Sequence, residues 1–451
     1  MLTLAPERAP RPAVVAQPDT IGFAEYLMGA HGRRAVVFLA SSDPPRLPPA
    51  VAERAIVLRA ERFASAAPPE GIDWADAVVV GSLESTSVAR VATLVSALSA
   101  VAARGALIVL TTPHRIGSDA VFRDSLASVG LRPAFVGRTL ADNFLRERSV
   151  ALAVVDAPLA GLLAEPPAPP ARRPLAVIAT YNDADVIAQL AREHLASGID
   201  LHFVDNWSVD GTYEILAELA CAHGERVALE RWPAGGPVEK YLWTELLDRK
   251  AEIGSAHPGR WIVHIDSDEL WRSPWPELSL AEAFGVAERY GATAVGASMF
   301  TFVPTRDGFS AADEPLEFFT HFTYPPHDSY ATLLRAWRQP ETKIDLSSSG
   351  GHEALFAARS VFPYRFPLFH YPFRSEAQAR RKLYRDRLPR FVAEECERGW
   401  HVHFTELGGD ERFVSLPDLL HRYEPATFGS SHLLEIISDA VMRRRGGSLL
   451  L

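Results

Sequence analysis

Cysteine is nearly absent: Cys221 and Cys396 are the only two in 451 residues. Two thiols cannot build a disulfide framework, and such usage fits a reducing compartment. Long apolar runs are also missing. No stretch approaches the roughly 20 apolar residues that span a bilayer. The first residues carry Glu7, Arg8 and several prolines where a secretion leader needs an apolar segment. The expectation is a cytoplasmic protein with no transmembrane segment and at most peripheral membrane contact. Excess positive charge is lacking too. Lys plus Arg total 46 against 56 Asp plus Glu, a formal charge of −10. That balance argues against a chain-wide nucleic-acid footprint. What is present is 47% hydrophobic, enough for sizeable cores, and the length suits two or three domains.

A proline-rich stretch divides the chain. Ala157 to Pro174 holds Pro158, Pro166, Pro167, Pro169, Pro170 and Pro174, a composition that predicts a semi-rigid, extended connector. The expected organisation is a first domain over 1–156, a linker over 157–173, a second domain over 174–390 and a helical extension over 391–451.

In the first domain, short apolar runs alternate with helical patterns. Strands are predicted at Arg34 to Leu39, Ala55 to Leu58, Ala77 to Val80, Ala106 to Leu110 and Val150 to Val155. Helices are predicted at Thr86 to Ala103 and Asp119 to Val129. This alternation implies a parallel sheet covered on both faces. Asp73-Trp74-Ala75-Asp76-Ala77-Val78-Val79-Val80, Gly105-Ala106-Leu107-Ile108-Val109 and Gly130-Leu131 with Gly137-Arg138-Thr139 make the region resemble the C-terminal half of a class I methyltransferase-like Rossmann domain. The glycine loop that family uses for its cofactor is missing. Leu39 is followed by Ala40-Ser41-Ser42-Asp43-Pro44-Pro45, so the resemblance implies a degenerate domain.

The second domain carries the chemistry. Trp261-Ile262-Val263-His264-Ile265 is a buried-strand pattern that ends in Asp266-Ser267-Asp268-Glu269. Carboxylates at the C-terminal end of such a strand sit where open α/β sheets bind ligands. Two acids separated by one small residue suit a hard divalent cation shared with substrate phosphates. Upstream, Leu175-Ala176-Val177-Ile178-Ala179 runs into Thr180-Tyr181-Asn182-Asp183, where Asn182 or Asp183 is expected to cap a helix stopped by Gly198. Leu201-His202-Phe203-Val204 runs into Asp205-Asn206-Trp207-Ser208-Val209-Asp210-Gly211-Thr212. Polar residues behind successive strands fit a nucleotide-binding half-sheet. The same residues are also ordinary turn formers.

Three motifs in this order, each behind a buried strand, make residues 174 to 385 resemble a family 2 glycosyltransferase. The resemblance implies a GT-A fold with a mixed sheet, so that the whole chain is α/β with two Rossmann-like three-layer domains. It implies transfer, with inversion, of a sugar from a nucleotide-diphosphate donor to a glycan or lipid-linked acceptor. Thr180, Tyr181, Asn182, Asp205, Asn206 and Asp210 would line the nucleotide pocket. Asp266 and Asp268 would hold Mn²⁺ or Mg²⁺, with Asp268 at the reacting centre. One departure is Asp205-Asn206, where much of the family has adjacent acids; it leaves the nucleobase open.

Further residues follow. Gly350-Gly351-His352-Glu353 reads as a flexible site loop, with His352 a metal ligand and Glu353 a general base. Gly350-Gly351-His352, then His370-Tyr371 and the downstream Lys382 resemble a pattern in a subset of this glycosyltransferase group, and the resemblance makes His352 and His370 candidate metal or diphosphate contacts; Arg374 and Lys382 are candidate phosphate contacts. Lys240, Tyr241 and Trp243 are placed beside the donor. Arg306 to Tyr330 reads as a long irregular acceptor loop whose acids are Asp307, Asp313, Glu314 and Glu317. Helices are expected at Phe391 to Cys396 and Leu433 to Met442, a strand at Trp400 to Phe404, and a solvated tail at Arg443 to Gly447. The competing readings are a bifunctional methyltransferase–glycosyltransferase and a non-catalytic sugar- or nucleotide-binding module. A nucleotidyltransferase fits poorly, because Ile178 to Asn182 has no glycine.

Overall fold

The computed structural model describes strands and a few neighbouring residues before 149, then residues 149–323, 333–398, 400 and 412–423. The chain divides into two compact units that meet in sequence at Ala160 and Gly161. Both are α/β. Among the described residues, no helix is long and apolar enough to cross a membrane.

The first unit holds a six-stranded sheet of β1 (Ala35–Ala40), β2 (Ala55–Arg59), β3 (Ala77–Ser82), β4 (Leu107–Pro113), β5 (Phe135–Leu140) and β6 (Ser149–Val155). Its order is β2-β1-β3-β4-β6-β5. The first four strands run parallel, as the alternating pattern predicts. β6 enters antiparallel between β4 and β5, so the sheet is mixed. β5 was not anticipated, because its polar Arg138 and Thr139 mask the apolar run. Val78, Val79, Leu107, Ile108, Val109 and Leu110 are buried, as expected of central strands. Most of Thr86 to Ala103, all of Asp119 to Val129 and the turn Ser41 to Pro45 lie outside the described residues.

The expected extended connector begins instead as a helix, α1 (Ala157–Ala164). Asp156 accepts the Leu159 amide at 3.1 Å, and Pro158 sits in the first turn, where its missing N–H costs nothing. The remaining prolines run extended and lie on the second unit. A Cβ on Gly285 would stand 2.0 Å from the Ala168 carbonyl oxygen, so only glycine permits that approach.

The second unit is built on a larger mixed sheet. Its elements are β7 (Leu175–Thr180), α2 (Ile187–Ala196), β8 (Asp200–Asp205), α3 (Thr212–His223), β9 (Val227–Arg231), α4 (Trp243–Ser255), β10 (Trp261–Asp266), β11 (Glu269–Trp271), α5 (Leu280–Arg289), β12 (Ala294–Phe302), α6 (Pro315–Phe318), β13 (His321–Thr323), β14 (Ala336–Arg338), β15 (Val361–His370), α7 (Glu376–Arg380), α8 (Ala393–Glu397) and β16 (His421–Arg422). The main path is β11-β15-β12-β14-β10-β7-β8-β9. β10, β7, β8 and β9 are parallel, and β14 joins β10 antiparallel. Trp261 is fully buried and tilts against Phe284 of α5 at 5.1 Å. Burying a large apolar side chain of this kind contributes about 1.5–3 kcal/mol. α5 starts with a reciprocal capping box between Ser279 and Glu282.

Two local expectations change. Neither the Asn182 nor the Asp183 side chain caps α2; its N-cap is Val186, without a side-chain bond. The segment expected to be a long irregular loop after Arg306 is irregular up to Glu314 and then holds the short elements α6 and β13. Phe309, Phe318, Phe319 and Phe322 are buried, and the Phe309, Phe318 and Phe319 rings meet edge-on or tilted with centroids within 5.2 Å of one another. Residues 324–332, 401–411 and 424–451 lie outside the described residues, so the strand predicted at Trp400 to Phe404, the last helix and the basic tail are not placed.

Candidate functional site

The register of the parallel strands brings their C-terminal ends together. Asp266 stands beside Ala179, and Thr180 beside Asp205. β11 pairs with β15 so that Glu269 faces His370, and the Tyr371 amide donates to the Asp268 carbonyl at 2.8 Å. Topology therefore gathers Asp266, Asp268 and His370 at one edge of the sheet.

Each acid there meets cations from distant parts of the chain. Asp266 is 31% exposed, with Lys250 Nζ and Arg335 Nη1 each 3.6 Å from its oxygens. Asp268 is nearly buried and accepts from Lys382 Nζ at 2.5 Å, with His370 Nε2 3.7 Å from the same oxygen. Burial alone would raise both carboxyls. Lys250 and Arg335 hold Asp266 below the usual carboxylate range, and Lys382, His370 and Arg374 bring Asp268 down to about 2. Glu269 is the contrasting acid. It is buried, accepts the Asp266 amide at 2.9 Å and pairs with Arg335 at 2.8 Å. Burial and the neighbouring Asp266 and Asp268 push it up to about 7, against the pull of Arg335. Lys250 is fully buried, donates to the Ile265 carbonyl at 2.7 Å and lies 2.9 Å from His264 Nδ1. Burial and Arg335 lower it to about 8 despite Asp266 and Glu269.

Asp205, Asn182, Asp210 and Thr180 form a different structure. Asp205 is fully buried and accepts from the Ser208 amide at 3.1 Å, the Ser208 hydroxyl at 2.5 Å and the Thr180 hydroxyl at 3.2 Å. Burial pushes its carboxyl up in spite of these bonds and of Arg231 nearby. Asn182 Oδ1 accepts the Val209 amide at 2.9 Å. Asp210 accepts the Thr212 amide and hydroxyl at 3.1 and 2.6 Å, closing the start of α3. These residues lace the two strand-end turns together. Asn182 and Trp207 hold φ of 59° and 58°, strained values for non-glycine residues that gather at ligand sites. Tyr181 lies under the Arg390 guanidinium at 4.1 Å, and Arg390 also donates to Asn206 Oδ1 at 2.8 Å. The Arg390 Nη1 is buried with no hydrogen-bond partner among the described residues.

Several sequence expectations are corrected by these placements. Arg374 is not an open phosphate contact. It is fully buried, and its donors are spent on Asp183 at 2.8 Å, Asp185 at 2.7 Å and the Tyr371 carbonyl at 3.1 Å. The two aspartates raise its affinity for its proton further. Gly350 and Gly351 are not a flexible loop. Both have positive φ, and a Cβ on Gly351 would stand 2.9 Å from Leu247 and 3.0 Å from His264 Nε2. Trp243 is buried and donates to the Gly350 carbonyl at 2.9 Å. Glu353 pairs with Arg359 at 2.5 Å. His352 lies near enough to the buried His264 to help lower it. Lys240 reaches the Pro389 carbonyl at 3.0 Å.

Among the described residues, no three His, Cys, Asp or Glu side chains are grouped as a ready metal centre. Two carboxylates and an imidazole nevertheless suit the class of site in which phosphates and water complete the shell. The His370 Nδ1 is buried with no hydrogen-bond partner among the described residues, and Asp266 remains partly open. The C-terminal end of β10 thus presents two ionised carboxylates with the His370 ring beside them.

Sequence reasoning passed over Lys250, Arg335, Asp183, Asp185, Arg387 and Arg390. The first was detectable: Lys250 falls in phase with Trp243, Leu246, Leu247, Ile253 and Gly254 on the buried face of α4. A lone ammonium on an apolar helical face requires a buried partner.

No family model matches the sequence, and no curated protein matches it. Similar solved structures include phosphoethanolamine N-methyltransferase 2 from Haemonchus contortus, in complex with phosphomonomethylethanolamine and S-adenosylhomocysteine. That likeness has a TM-score of 0.22 and 11% identity, over 61% of this chain and 80% of that one. The same enzyme with S-adenosyl-L-methionine gives a TM-score of 0.21 at 11% identity, with the same coverage. Agreement this low carries no argument about fold or activity.

Proposed function

We propose that the second unit is a metal-dependent glycosyltransferase of the GT-A type, acting on a nucleotide-diphosphate sugar. The observation that carries this reading is the Asp266–Asp268 pair at the C-terminal end of a central parallel strand, with both acids held ionised by distant cations. Asp266 and Asp268 would hold Mn²⁺ or Mg²⁺, with His370 as a third donor. The ion would neutralise charge that develops on the departing diphosphate. The chain's own residues do the rest. Lys250 and Arg335 keep Asp266 ionised in a dry setting. Tyr181, Asn206 and Arg390 form a flat, polar-edged place for the nucleobase, and Arg390 brings a buried donor with no partner among the described residues. Glu269, pushed up to about 7 by burial and the two acids, stands next to the pair and is bonded to Arg335.

The test is calorimetric binding of UDP, GDP and dTDP with and without Mn²⁺, followed by incubation of the preferred nucleotide's sugar donors with the protein. Metal-dependent binding of one nucleotide and slow release of free sugar support the reading. Indifference to all three nucleotides under both conditions would refute it.

A further inference from the structure

Lys382 reaches the site from an uncommon backbone. After α7 the chain widens into a π-helical turn over Arg381–Arg387, a geometry that is rare and concentrated at functional positions. This turn directs Lys382, Leu383 and Asp386 inward. The Lys382 Nζ lies 2.5 Å from Asp268 Oδ2 and donates to the Pro372 carbonyl at 3.1 Å. The pair is secluded, with side-chain exposures of 10% and 8%. His370 Nε2 approaches the same Asp268 oxygen at 3.7 Å. The companion acid is held differently: Lys250 and Arg335 stand off at 3.6 Å, and Asp266 stays 31% exposed. One carboxylate of the pair is open to an incoming cation, and the other is already occupied by an ammonium.

We infer that Lys382 is a built-in competitor of the divalent cation for Asp268, displaced when the cation and a diphosphate enter together. This rests on the reading of Asp266 and Asp268 given above. An ammonium and a divalent ion on one carboxylate oxygen repel each other, so metal entry requires Lys382 to leave. Its stem is long and flexible and its head carries three donors, so it can turn from a carboxylate to a phosphate oxygen. A diphosphate supplies the negative charge that makes leaving favourable. Metal and diphosphate then promote each other's binding, and linkage makes that effect reciprocal. The arrangement keeps the metal pair closed to a lone ion and opens it to the ion with its substrate.

The experiment measures Mn²⁺ binding from the electron paramagnetic resonance signal of the free ion, using the full chain without nucleotide. Wild type is compared with Lys382→Met, Lys382→Gln and Asp268→Asn. The glutamine variant keeps an amide donor toward Asp268 without the charge, in case the methionine variant does not fold. The titrations are repeated with inorganic pyrophosphate, corrected for its own complex with Mn²⁺. The expected result is that the Lys382 variants bind Mn²⁺ alone about 5- to 150-fold more tightly than wild type, the usual range for coupled sites. Pyrophosphate should tighten Mn²⁺ binding in wild type and do so less in the variants. Folded Lys382 variants that bind Mn²⁺ no more tightly than wild type, while Asp268→Asn loses it, overturn the inference and leave the glycosyltransferase reading standing. If wild type binds no Mn²⁺ with or without pyrophosphate, both fall.

Discussion

Two strand ends in the second unit carry acids in the same topological position and use them differently. At the ends of β7 and β8, Asp205 and Asp210 take their close hydrogen bonds from hydroxyls and amides near in sequence or on the adjoining turn, with Arg231 and Arg381 standing off at 3.9 and 3.6 Å. At the end of β10, Asp266 has Lys250 of α4 and Arg335, just before β14, each at 3.6 Å, and Asp268 is bonded directly by Lys382 of the π-helical turn. Close hydrogen bonds from local amides and hydroxyls fix a turn. An acid whose nearest partners are cations from distant segments holds its charge at a cost in desolvation that turn chemistry does not require. An acid behind a strand is therefore a weak signal, and whether local groups take its closest bonds separates the two uses.

Perturbing the link between the two ends should have the largest effect. Arg374→Met leaves Asp183 and Asp185 without their shared cation, and breaking buried pairs of this kind costs about 3–5 kcal/mol. Urea unfolding would show it as a lower midpoint; a change below 1 kcal/mol would mean that the brace is slack. At the β10 end, Asp268→Asn should lower sugar transfer by about 10²–10³, the scale for loss of one electrostatic stabiliser, with the thermal midpoint changed far less than in Arg374→Met. At the β8 end, Asp205→Asn should do the reverse. Its hydroxyl and amide donors lose a buried acceptor, which costs about 1–3 kcal/mol, while Mn²⁺ affinity stays at the wild-type value.

A smaller effect belongs to His194. Burial lowers it to about 4, helped by Arg272 and opposed by its bond to the Leu190 carbonyl. A histidine depressed below its unfolded value of 6.5 adds stability above that pH, and the stability is lost as pH falls through about 4. Between those limits the unfolded state binds more protons, so stability should fall on acidification. Unfolding midpoints at pH 7 and pH 5 should differ less in His194→Gln than in wild type. The smallest effect is expected for Lys240→Ala. Lys240 is exposed and donates to the Pro389 carbonyl, and nucleotide binding should change little.

Legibility in the sequence followed the physics of each element. β7, β8, β10 and β12 were readable because each central strand carries a mostly apolar run, with a single His in β8 and in β10. Asp266 and Asp268 were readable as a pair because the motif is local. Their cations were not. Lys250, Arg335 and Lys382 lie 16, 69 and 114 residues from the acids they serve, and only the folded sheet joins them. Arg374 was misread for the same reason: an arginine near a motif looks like a phosphate ligand until its three carbonyl and carboxylate partners are known. The helix over Ala157 to Ala164 was hidden by the prolines after it. The glycine pair at 350–351 looked flexible because sequence does not reveal the crowding by Leu247 and His264 that requires glycine there.

The most direct test compares the two ends in one assay: calorimetric titration of Asp268→Asn and Asp205→Asn with the nucleoside diphosphate that wild type prefers, in the presence of Mn²⁺. The account predicts that the first variant loses metal-dependent binding while the second keeps it at reduced thermal stability. Loss in Asp205→Asn with retention in Asp268→Asn would contradict it and move the site to the end of β8.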